Sequence, residues 1–215
     1  MSVATKKPSA NGKSTTAEKV IALPKLNIEV MRVRLVGDSP LICHKWSEKA
    51  KEEMRAKQFK LAKVAKAAKD PEADFRGSLY DYPGGGYGFP AIAFKAAAVD
   101  ACSHVDGITK VEARGAFHIS KQFGPNVTDL RSAELVRIDG EPTMREDMVR
   151  VGMGVADIRY RGEFKEWATS FLVRFNANVL SAEQIVNLFN TAGFAIGVGE
   201  WRPQKDGQYG MFHVG

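Results

Sequence analysis

The sequence has little of what secreted, membrane-spanning or metal-binding proteins depend on. Its only two cysteines, Cys43 and Cys102, lie far apart and no Cys-x-x-Cys pair or clustered histidine set accompanies them. This excludes a disulfide framework and gives no sign of a metal or other cofactor. No apolar run approaches the ~18 residues that a membrane span requires. The early lysines Lys6, Lys7 and Lys13 precede no apolar signal core, so we expect a cytoplasmic protein with no membrane partner.

Recognised catalytic motifs are also missing. The chain has no G-x-S-x-G, no H-E-x-x-H, no Walker A and no Gly-x-Gly-x-x-Gly after a predicted strand. The four histidines are scattered along the chain, at His44, His104, His118 and His213. We therefore expect a protein that is not an enzyme and assign no catalytic or metal-binding residue.

What the sequence does have is an excess of positive charge on an ordinary core composition. The formal net charge is +6 and the pI is near 9.3, which favours an anionic partner. A hydrophobic fraction of 44% suffices for one folded domain with insertions. Residues 1–22, rich in Ser, Thr, Ala and Lys, predict a disordered basic arm. Such an arm could contact a phosphate backbone or a neighbouring subunit, or be a solvated tail.

A glycine-rich run lies near the C-terminal end. Phe194–Val198 and Met211–Val214 are short apolar segments that predict two strands, with a polar, basic loop between them. Glycines at this density let the backbone turn sharply and approach a partner closely, because no Cβ stands in the way. The loop glycines are Gly197, Gly199, Gly207 and Gly210.

Four other side chains of this loop suit the recognition of a polyanion. They are Trp201, Arg202, Lys205 and Tyr209. Aromatic rings stack on bases, and the two cations neutralise phosphates. A plain hairpin, whose glycine-rich turn places Trp201 in the core, is the alternative interpretation.

The residues before the loop predict a strand and a helix. Trp167–Asn176 is apolar enough for a core strand, and Ser181 with Gln184 has the form of a capping box. The apolar positions of Ala182–Ala192 fall on one helical face, and Gly193 follows where a helix C-cap requires positive φ. Strand, helix, strand and glycine loop make half of a ferredoxin-like βαββαβ unit.

This order of elements, closed by a glycine-rich loop, resembles the RAMP superfamily, which includes the RRM-like, crRNA-binding backbone subunits of CRISPR effector complexes. The residues that carry the resemblance are Gly197, Gly199, Arg202, Lys205, Gly207, Gly210 and Phe212. The resemblance covers 167–215, about a quarter of the chain, with weaker echoes at 27–46 and 89–102. It implies an α+β, ferredoxin-like (RRM-like) domain over 23–215, and a short stand-alone chain of this kind suggests a phage-encoded relative in a bacterial cell.

The first predicted strand, Leu26–Gly37, leads through a turn at Asp38–Pro40 into a second apolar segment. The segment ends at His44, Lys45 and Trp46, which could face a nucleic acid strand. His44 could equally be a satisfied histidine at a strand end, and Trp46 a hydrophobic plug. RAMP-type metal-independent ribonucleases use a histidine near the first helix, and His44 has the comparable place.

The resemblance implies two insertions in the core, at about 47–88 and about 124–164. The first contains a basic helix, Ser47–Lys69, that is either a solvated face or a phosphate-facing one. It also contains Tyr87, which with Phe89 could stack on bases from a glycine-punctuated loop. The helix that follows carries Lys95, which with Pro90 fits the entry to the first core helix of RAMP proteins.

The second insertion predicts extended hairpins that resemble the thumb of RAMP backbone subunits, which reaches over the bound strand. Arg150, Arg159 and Arg161 project from it, and Arg114 lies before it, in the predicted strand region Ile108–Phe123. Alternation in Ile158–Arg161 places both arginines on one side of a ribbon.

These observations lead to one hypothesis and two alternatives. The hypothesis is sequence-independent binding of single-stranded nucleic acid, DNA or RNA, by a repeating homo-oligomer or filament along the strand. Phosphates would be neutralised by Lys45, Lys95, Arg114, Arg150, Arg159, Arg161, Arg202 and Lys205, and bases stacked on Trp46, Tyr87, Phe89, Trp201 and Tyr209. The alternatives are a phage assembly or structural subunit, and a metal-independent endoribonuclease that uses His44.

Overall fold

The computed structural model describes residues 24–46, 48–61, 68–120, 133–150, 154 and 156–215. The strands in chain order are β1 (Ile28–Gly37), β2 (Leu41–Cys43), β3 (Tyr80–Asp81), β4 (Tyr87–Pro90), β5 (Phe117–Ser120), β6 (Leu135–Asp139), β7 (Pro142–Arg150), β8 (Ala156–Phe164), β9 (Ala168–Asn176) and β10 (Phe212–Val214). The helices are α1 (Glu48–Gln58), α2 (Pro71–Gly77), α3 (Ala91–Ala101), α4 (Lys110–Ala116) and α5 (Ala182–Ala195). The predicted arm at 1–22, Ser47 at the start of the predicted basic helix and part of the predicted second insertion lie outside the described residues.

The larger of two sheets is antiparallel and organises the chain. Its strand order is β10-β1-β9-β6-β4-β3, and β5 pairs with β9 on the same side as β6. The longest pairing joins β1 to β9, from Ile28 opposite Asn176 to Val36 opposite Ala168. The fold is thus mixed α/β with antiparallel sheets.

Helices α3 and α5 pack on one face of this sheet and form the core with it. Phe94 of α3 and Phe189 of α5 both lie against Phe171 of β9, with ring centroids 5.7 Å apart in each pair. Phe212 brings β10 into the same cluster through Phe94. This aromatic centre fixes where β10, and therefore the loop before it, sits on the sheet.

Strand β1 faces the core with its odd-numbered positions and the solvent with its even-numbered ones. Val33 and Leu35 face the core and are fully buried, whereas Ile28, Val30 and Arg32 are exposed. The sequence places these two sets on opposite parities, and the helices cover only the odd one. The even-numbered face of β1 is therefore an exposed surface.

The smaller sheet has the order β2-β8-β7 and is covered by α2. Ser78, at the end of α2, donates its hydroxyl to the Phe75 carbonyl at 2.6 Å and accepts from the Gly162 amide at 2.8 Å. Gly162 lies so close to Leu79 that a Cβ would be 2.2 Å from a Leu79 methyl carbon. The β7–β8 hairpin is thus held at its base by α2.

Two of the predicted elements are wrong. Helix α5 continues to Ala195, so Phe194 is helical and there is no strand at Phe194–Val198. Gly193 is not a C-cap but the place where β10 crosses the helix, since a Cβ there would be 1.7 Å from the Phe212 carbonyl oxygen. The predicted strand region at Ile108–Phe123 begins instead with α4, whose N-terminus Thr109 closes with a capping box.

The predicted helix cap at Ser181 is confirmed. The Ser181–Gln184 capping box is present, with both reciprocal hydrogen bonds. The predicted basic helix Ser47–Lys69 is too long, since α1 ends at Gln58 and residues 68–70 are not helical. Asp70 instead begins a new helix, because its carboxylate accepts from the Ala73 amide at the N-terminus of α2. Among the described residues, no helix is both long and apolar enough to span a bilayer.

Candidate nucleic-acid interface

The glycine loop between α5 and β10 is fixed against β2 by backbone hydrogen bonds. The Gly210 amide donates to the Pro40 carbonyl at 2.8 Å, and the Glu200 amide donates to the Ile42 carbonyl at 3.1 Å. Gly199 lies so close that a Cβ would be 2.6 Å from the Ile42 carbonyl oxygen. The loop is therefore a defined structure at the end of β2.

Trp201 lies at the surface of this loop in a left-handed backbone conformation. Its φ is +56° and its side chain is 43% exposed. The Trp201 carbonyl accepts from the Tyr209 amide at 3.0 Å, and Gly207 passes so close that a Cβ would be 1.7 Å from that carbonyl oxygen. Bulky residues rarely adopt positive φ because it costs about 1–3 kcal/mol. The alternative in which Trp201 is a core plug is thus wrong, and the core tryptophan is Trp167.

Arg202 and Lys205 keep their charges available. The guanidinium of Arg202 donates to the Gly199 carbonyl at 3.1 Å and to Gln204 Oε1 at 3.1 and 3.2 Å. Lys205 is exposed. Within the described part of the chain, neither cation forms an ion pair with a carboxylate. Both can therefore bind an anionic ligand without breaking an ion pair.

The segment from His44 to Trp46 follows β2 directly and lies at the same end of the smaller sheet as the glycine loop. Trp46 is 55% exposed, so it is not the hydrophobic plug that the sequence also allows. The Lys45 ammonium lies over the Tyr80 ring, 5.8 Å from its centroid. The Lys45 amide donates to the Ser78 carbonyl at 2.9 Å and ties this segment to the end of α2.

His44 has a carboxylate partner that sequence reasoning missed. Its Nδ1 is 3.0 Å from Glu200 Oε1, across the gap between the β2 end and the glycine loop. The hydrogen bond with His44 holds the pKa of Glu200 below its usual value, and the charges of Arg161 and Arg202 act in the same direction. No motif flags this pair, because 156 positions separate the two residues.

Two predicted contact residues are instead part of an ion-pair network beside the loop. Arg161 is 4% exposed and donates to Asp147 at 3.3 Å, so it is not available to phosphate as predicted. Arg145 donates to Glu163 at 2.7 Å and to the Tyr209 hydroxyl at 3.2 Å, and its guanidinium covers the Tyr209 ring at 4.8 Å. Arg145 thus covers one face of the predicted stacking residue Tyr209 and binds its hydroxyl, a partner that the sequence does not indicate.

Arg145 is the centre of this network. Burial disfavours its charged form, but hydrogen bonds to Asp147, Glu163 and Tyr209 outweigh that cost and raise the pKa of Arg145. The network joins the β7–β8 hairpin to the glycine loop. Sequence analysis missed Arg145 and Asp147 of this network. The two residues alternate with exposed residues along β7, and such alternation is also typical of a solvent-exposed ribbon.

The two remaining arginines of the hairpin lie further from the loop. Arg150 is exposed at the end of β7. Arg159 is half-buried and has its Nε 3.8 Å from Asp157. Both keep exposed surface for a phosphate, but the structure does not bring them to Trp201 and Arg202.

Lys95 and Arg114 form a second basic group near β5. The Lys95 ammonium donates to the Arg114 carbonyl at 3.0 Å and lies 3.1 Å from His118 Nδ1. Burial lowers the pKa of Lys95, and burial, followed by the charges of Lys95 and Arg174, lowers that of His118. His118 and Arg174 face each other in the β5–β9 ladder and were missed because neither belongs to a motif.

Hydrogen bonds also join this group to the glycine loop. Gln204 donates to Asp100 Oδ2 at 2.8 Å, and Lys110 donates to Asp100 Oδ1 at 2.9 Å. Lys110 and Arg114 lie one turn apart on the same face of α4. Basic side chains therefore continue from the glycine loop along α4 towards β5.

The predicted stacking role of Phe89 is wrong. Phe89 is 5% exposed and packs edge-on against Tyr80 and Phe94, with ring centroids 5.9 Å away in both cases. Tyr87 is half-buried and lies edge-on to Phe164. Tyr87 and Phe89 are two positions apart in β4, so both rings lie on the same, core-facing side of the larger sheet.

Comparison with known proteins gives little to add to this geometry. No family model matches the chain, and no curated protein matches its sequence. Among solved structures, it matches the crystal structure of Cmr6 from Pyrococcus furiosus with a TM-score of 0.42 and 9% sequence identity. The match covers 89% of this chain and 100% of that one. At this level of similarity it assigns neither a family nor a function.

Proposed function

We propose that the protein binds single-stranded nucleic acid, largely independently of sequence, through the surface formed by Lys45, Trp46, Trp201, Arg202 and Lys205. The observation that carries the proposal is Trp201, an exposed aromatic ring held at positive φ beside two cations. A backbone held in a costly conformation at the surface is typical of a functional site. Exposed rings and unpaired cations together supply base stacking and phosphate neutralisation.

The arrangement of the larger sheet supports an RRM-like core for this proposal. Strands β1, β5, β9 and β10 lie in the order β10-β1-β9-β5, and helices α3 and α5 fall after the first and third of them in the chain. This is the strand order and connectivity of a split βαβ unit repeated twice. Within the RAMP-type resemblance, the β7–β8 hairpin would act as the thumb and α1–α2 as the basic insertion.

The outer face of this sheet differs from that of a stacking RRM. Arg32, Arg34, Arg137 and Arg174 lie on it, and the outward positions of the two central strands β1 and β9 carry no Phe, Tyr or Trp. Bases would therefore stack at the loop end, on Trp201 and Trp46, and not on the sheet face. Repeated copies along one strand remain part of the proposal, as does a phage-encoded origin.

Direct binding tests the proposal. Fluorescence anisotropy with labelled single strands of DNA and RNA of mixed and homopolymeric sequence, at low salt, should rise at micromolar protein or below. A matched duplex should bind more weakly, because its bases are not free to stack. A nucleic-acid-free oligomer that ignores every single strand at low salt would support an assembly subunit instead.

The contact between His44 and Glu200 favours one second candidate, a metal-independent endoribonuclease. A carboxylate on Nδ1 orients the imidazole and leaves Nε2 free to take a proton from a ribose hydroxyl. RNA cleavage in the presence of a chelator, lost in His44→Ala and reduced in Glu200→Gln, would support it. Intact RNA after prolonged incubation with the wild-type protein would exclude it.

A further inference from the structure

Within the described part of the chain, strand β1 has an unpaired backbone edge over its first half. Its pairing with β9 runs along the whole strand, but its pairing with β10 on the other side reaches only Leu35–Gly37. The last contact on that side is the Gly215 amide, which donates to the Arg34 carbonyl at 3.1 Å. Among the described residues, none pairs with the outer edge of Ile28–Val33.

The register shows which backbone groups point to this free edge. The Gly37 amide donates to the Trp167 carbonyl, and the Asn27 carbonyl accepts from the Ala177 amide, so odd-numbered residues bond to β9. Antiparallel strands alternate their bonding direction residue by residue. The amides and carbonyls of Ile28, Val30 and Arg32 therefore point outward.

The side chains at this edge are apolar where an isolated edge would be protected. Ile28 is 48% exposed and Val30 is 38% exposed, and Leu26 just before them is more exposed still. Edge strands that stay unpaired usually carry charges, prolines or bulges. Along the free stretch only Glu29 and Arg32 are charged.

We infer that this edge pairs with the same edge of a second copy of the chain, antiparallel and about a two-fold axis. In such a pairing the outward groups of even-numbered residues meet even-numbered residues, so donors and acceptors match without adjustment. Two seven-stranded sheets would join into one continuous sheet. The inference concerns the protein alone and does not depend on nucleic-acid binding.

Charge and space select one register. Pairing centred on Glu29 would oppose two carboxylates, and pairing centred on Arg32 would oppose two guanidinium groups, which is unfavourable. Pairing centred on Met31 would bring Ile28 opposite Arg34 of the partner copy, whose carbonyl is already bonded to Gly215. Centring on Ile28 would place Pro24, which has no N–H, in the ladder.

The remaining register is centred on Val30, which faces its own symmetry mate, and its ladder ends at Ile28, where β1 begins, before Leu26 would meet the occupied Arg34 carbonyl. Ile28 of each copy then lies opposite Arg32 of the other, so the apolar side chain packs on the aliphatic stem of the arginine. In a hydrogen-bonded antiparallel pair the two Cα atoms are about 5.5 Å apart. That separation lies within the range of disulfides.

Cysteine cross-linking tests this register. Val30→Cys should form a disulfide-linked dimer under mild oxidation, whereas Ile28→Cys alone should not, since its own mate lies four residues along the strand, ~13 Å away. A mixture of Ile28→Cys and Arg32→Cys chains should cross-link. The native Cys43 and Cys102 are buried, and burial raises the pKa of Cys43 to about 12, so they are poor competitors.

Proline substitution gives a second, independent readout by sedimentation velocity. Val30→Pro removes an amide that bonds to no described residue of its own chain, so it should leave the circular dichroism unchanged. It should weaken the dimer about tenfold or more, because two intermolecular hydrogen bonds are lost per dimer. A wild-type protein that is monomeric at all concentrations, or equal cross-linking of Val30→Cys and Ile28→Cys, would overturn the inference. In that case the edge has a different occupant, such as residues 1–23 or another protein.

Discussion

Glu200 places a carboxylate oxygen 3.0 Å from Nδ1 of His44 and so joins the glycine loop to the end of β2. The contact connects two segments that sequence analysis treats separately. It also gives the loop a charge-dependent attachment beside the exposed Trp201. The predictions below follow from this and from the neighbouring contacts.

The Glu200–His44 contact should contribute to stability in a pH-dependent manner. The folded state lowers the pKa of Glu200 from its usual 4.5, so the stabilisation is present above that pH and is lost as the pH falls through the folded value. Glu200→Gln should cost about 0.5 kcal/mol at pH 7, because both side chains are partly exposed. Urea unfolding at pH 7 and below pH 4.5 measures the difference, which should shrink at the lower pH. A difference that is the same at both pH values would contradict this account.

The buried ion pairs of the hairpin should matter more than its exposed ones. Asp147 contacts both Arg145 and Arg161, so Asp147→Ala removes the nearest carboxylate of the buried Arg161 guanidinium and one of the two carboxylates that bind Arg145. We expect a loss of about 3 kcal/mol in the free energy of unfolding. Asp157→Ala is the matched control, since Asp157 lies on the same hairpin in exposed pairs with Lys69 and Arg159. It should cost less than about 1 kcal/mol, and equal costs for the two variants would show that the network is not buried in solution.

Close backbone approach in the loop should make Gly207 intolerant of a side chain. A Cβ at Gly207 would be 1.7 Å from the Trp201 carbonyl oxygen, so Gly207→Ala must displace the backbone that holds Trp201. We expect lower thermal stability and weaker nucleic-acid binding together. Gly115→Ala is the control, since Gly115 lies in α4 with open space around it. That change should be neutral or stabilising by roughly 0.5–1 kcal/mol. A Gly207→Ala variant with wild-type stability and binding would contradict the close approach.

Salt dependence should identify the cations that contact phosphate. Each phosphate contact contributes roughly 0.7 to the log–log slope of affinity against salt for single strands. Arg202→Ala and Lys205→Ala should each reduce the slope by about that amount. Arg137→Ala, an exposed arginine on the outer sheet face, should leave it unchanged. A slope that falls equally in all three variants would indicate attraction by net charge alone.

The sequence predicts most elements that depend on local signals. The α5 capping box, strands β1 and β9 and the final strand β10 all follow from hydroxyl–amide spacing or apolar alternation. Gly193 shows the limit of such signals. A glycine after an apolar helical face is typical of a C-cap, yet here it serves a tertiary crossing by β10, which only the packed structure reveals.

The candidate site was predicted in part, for a similar reason. Trp46, Trp201, Arg202 and Lys205 lie at the surface as expected, since the loop chemistry is local. Arg161, Tyr209 and Phe89 are occupied or buried by partners far along the chain, which residue type alone does not indicate. Glu200 was missed because nothing in the sequence indicates that it lies beside His44, which is 156 positions away.

The most direct test of the central claim is the affinity of two Trp201 variants for a labelled single strand at low salt. Trp201→Asn removes the ring but tolerates positive φ, so the loop should keep its shape. Base stacking contributes about 1–3 kcal/mol per base, so Trp201→Asn should bind roughly 5- to 150-fold more weakly, whereas Trp201→Phe should retain most of the affinity. Phe194→Ala, which removes an exposed ring from α5, should bind like the wild type. Wild-type affinity in Trp201→Asn would contradict the proposal that this ring contacts nucleic acid.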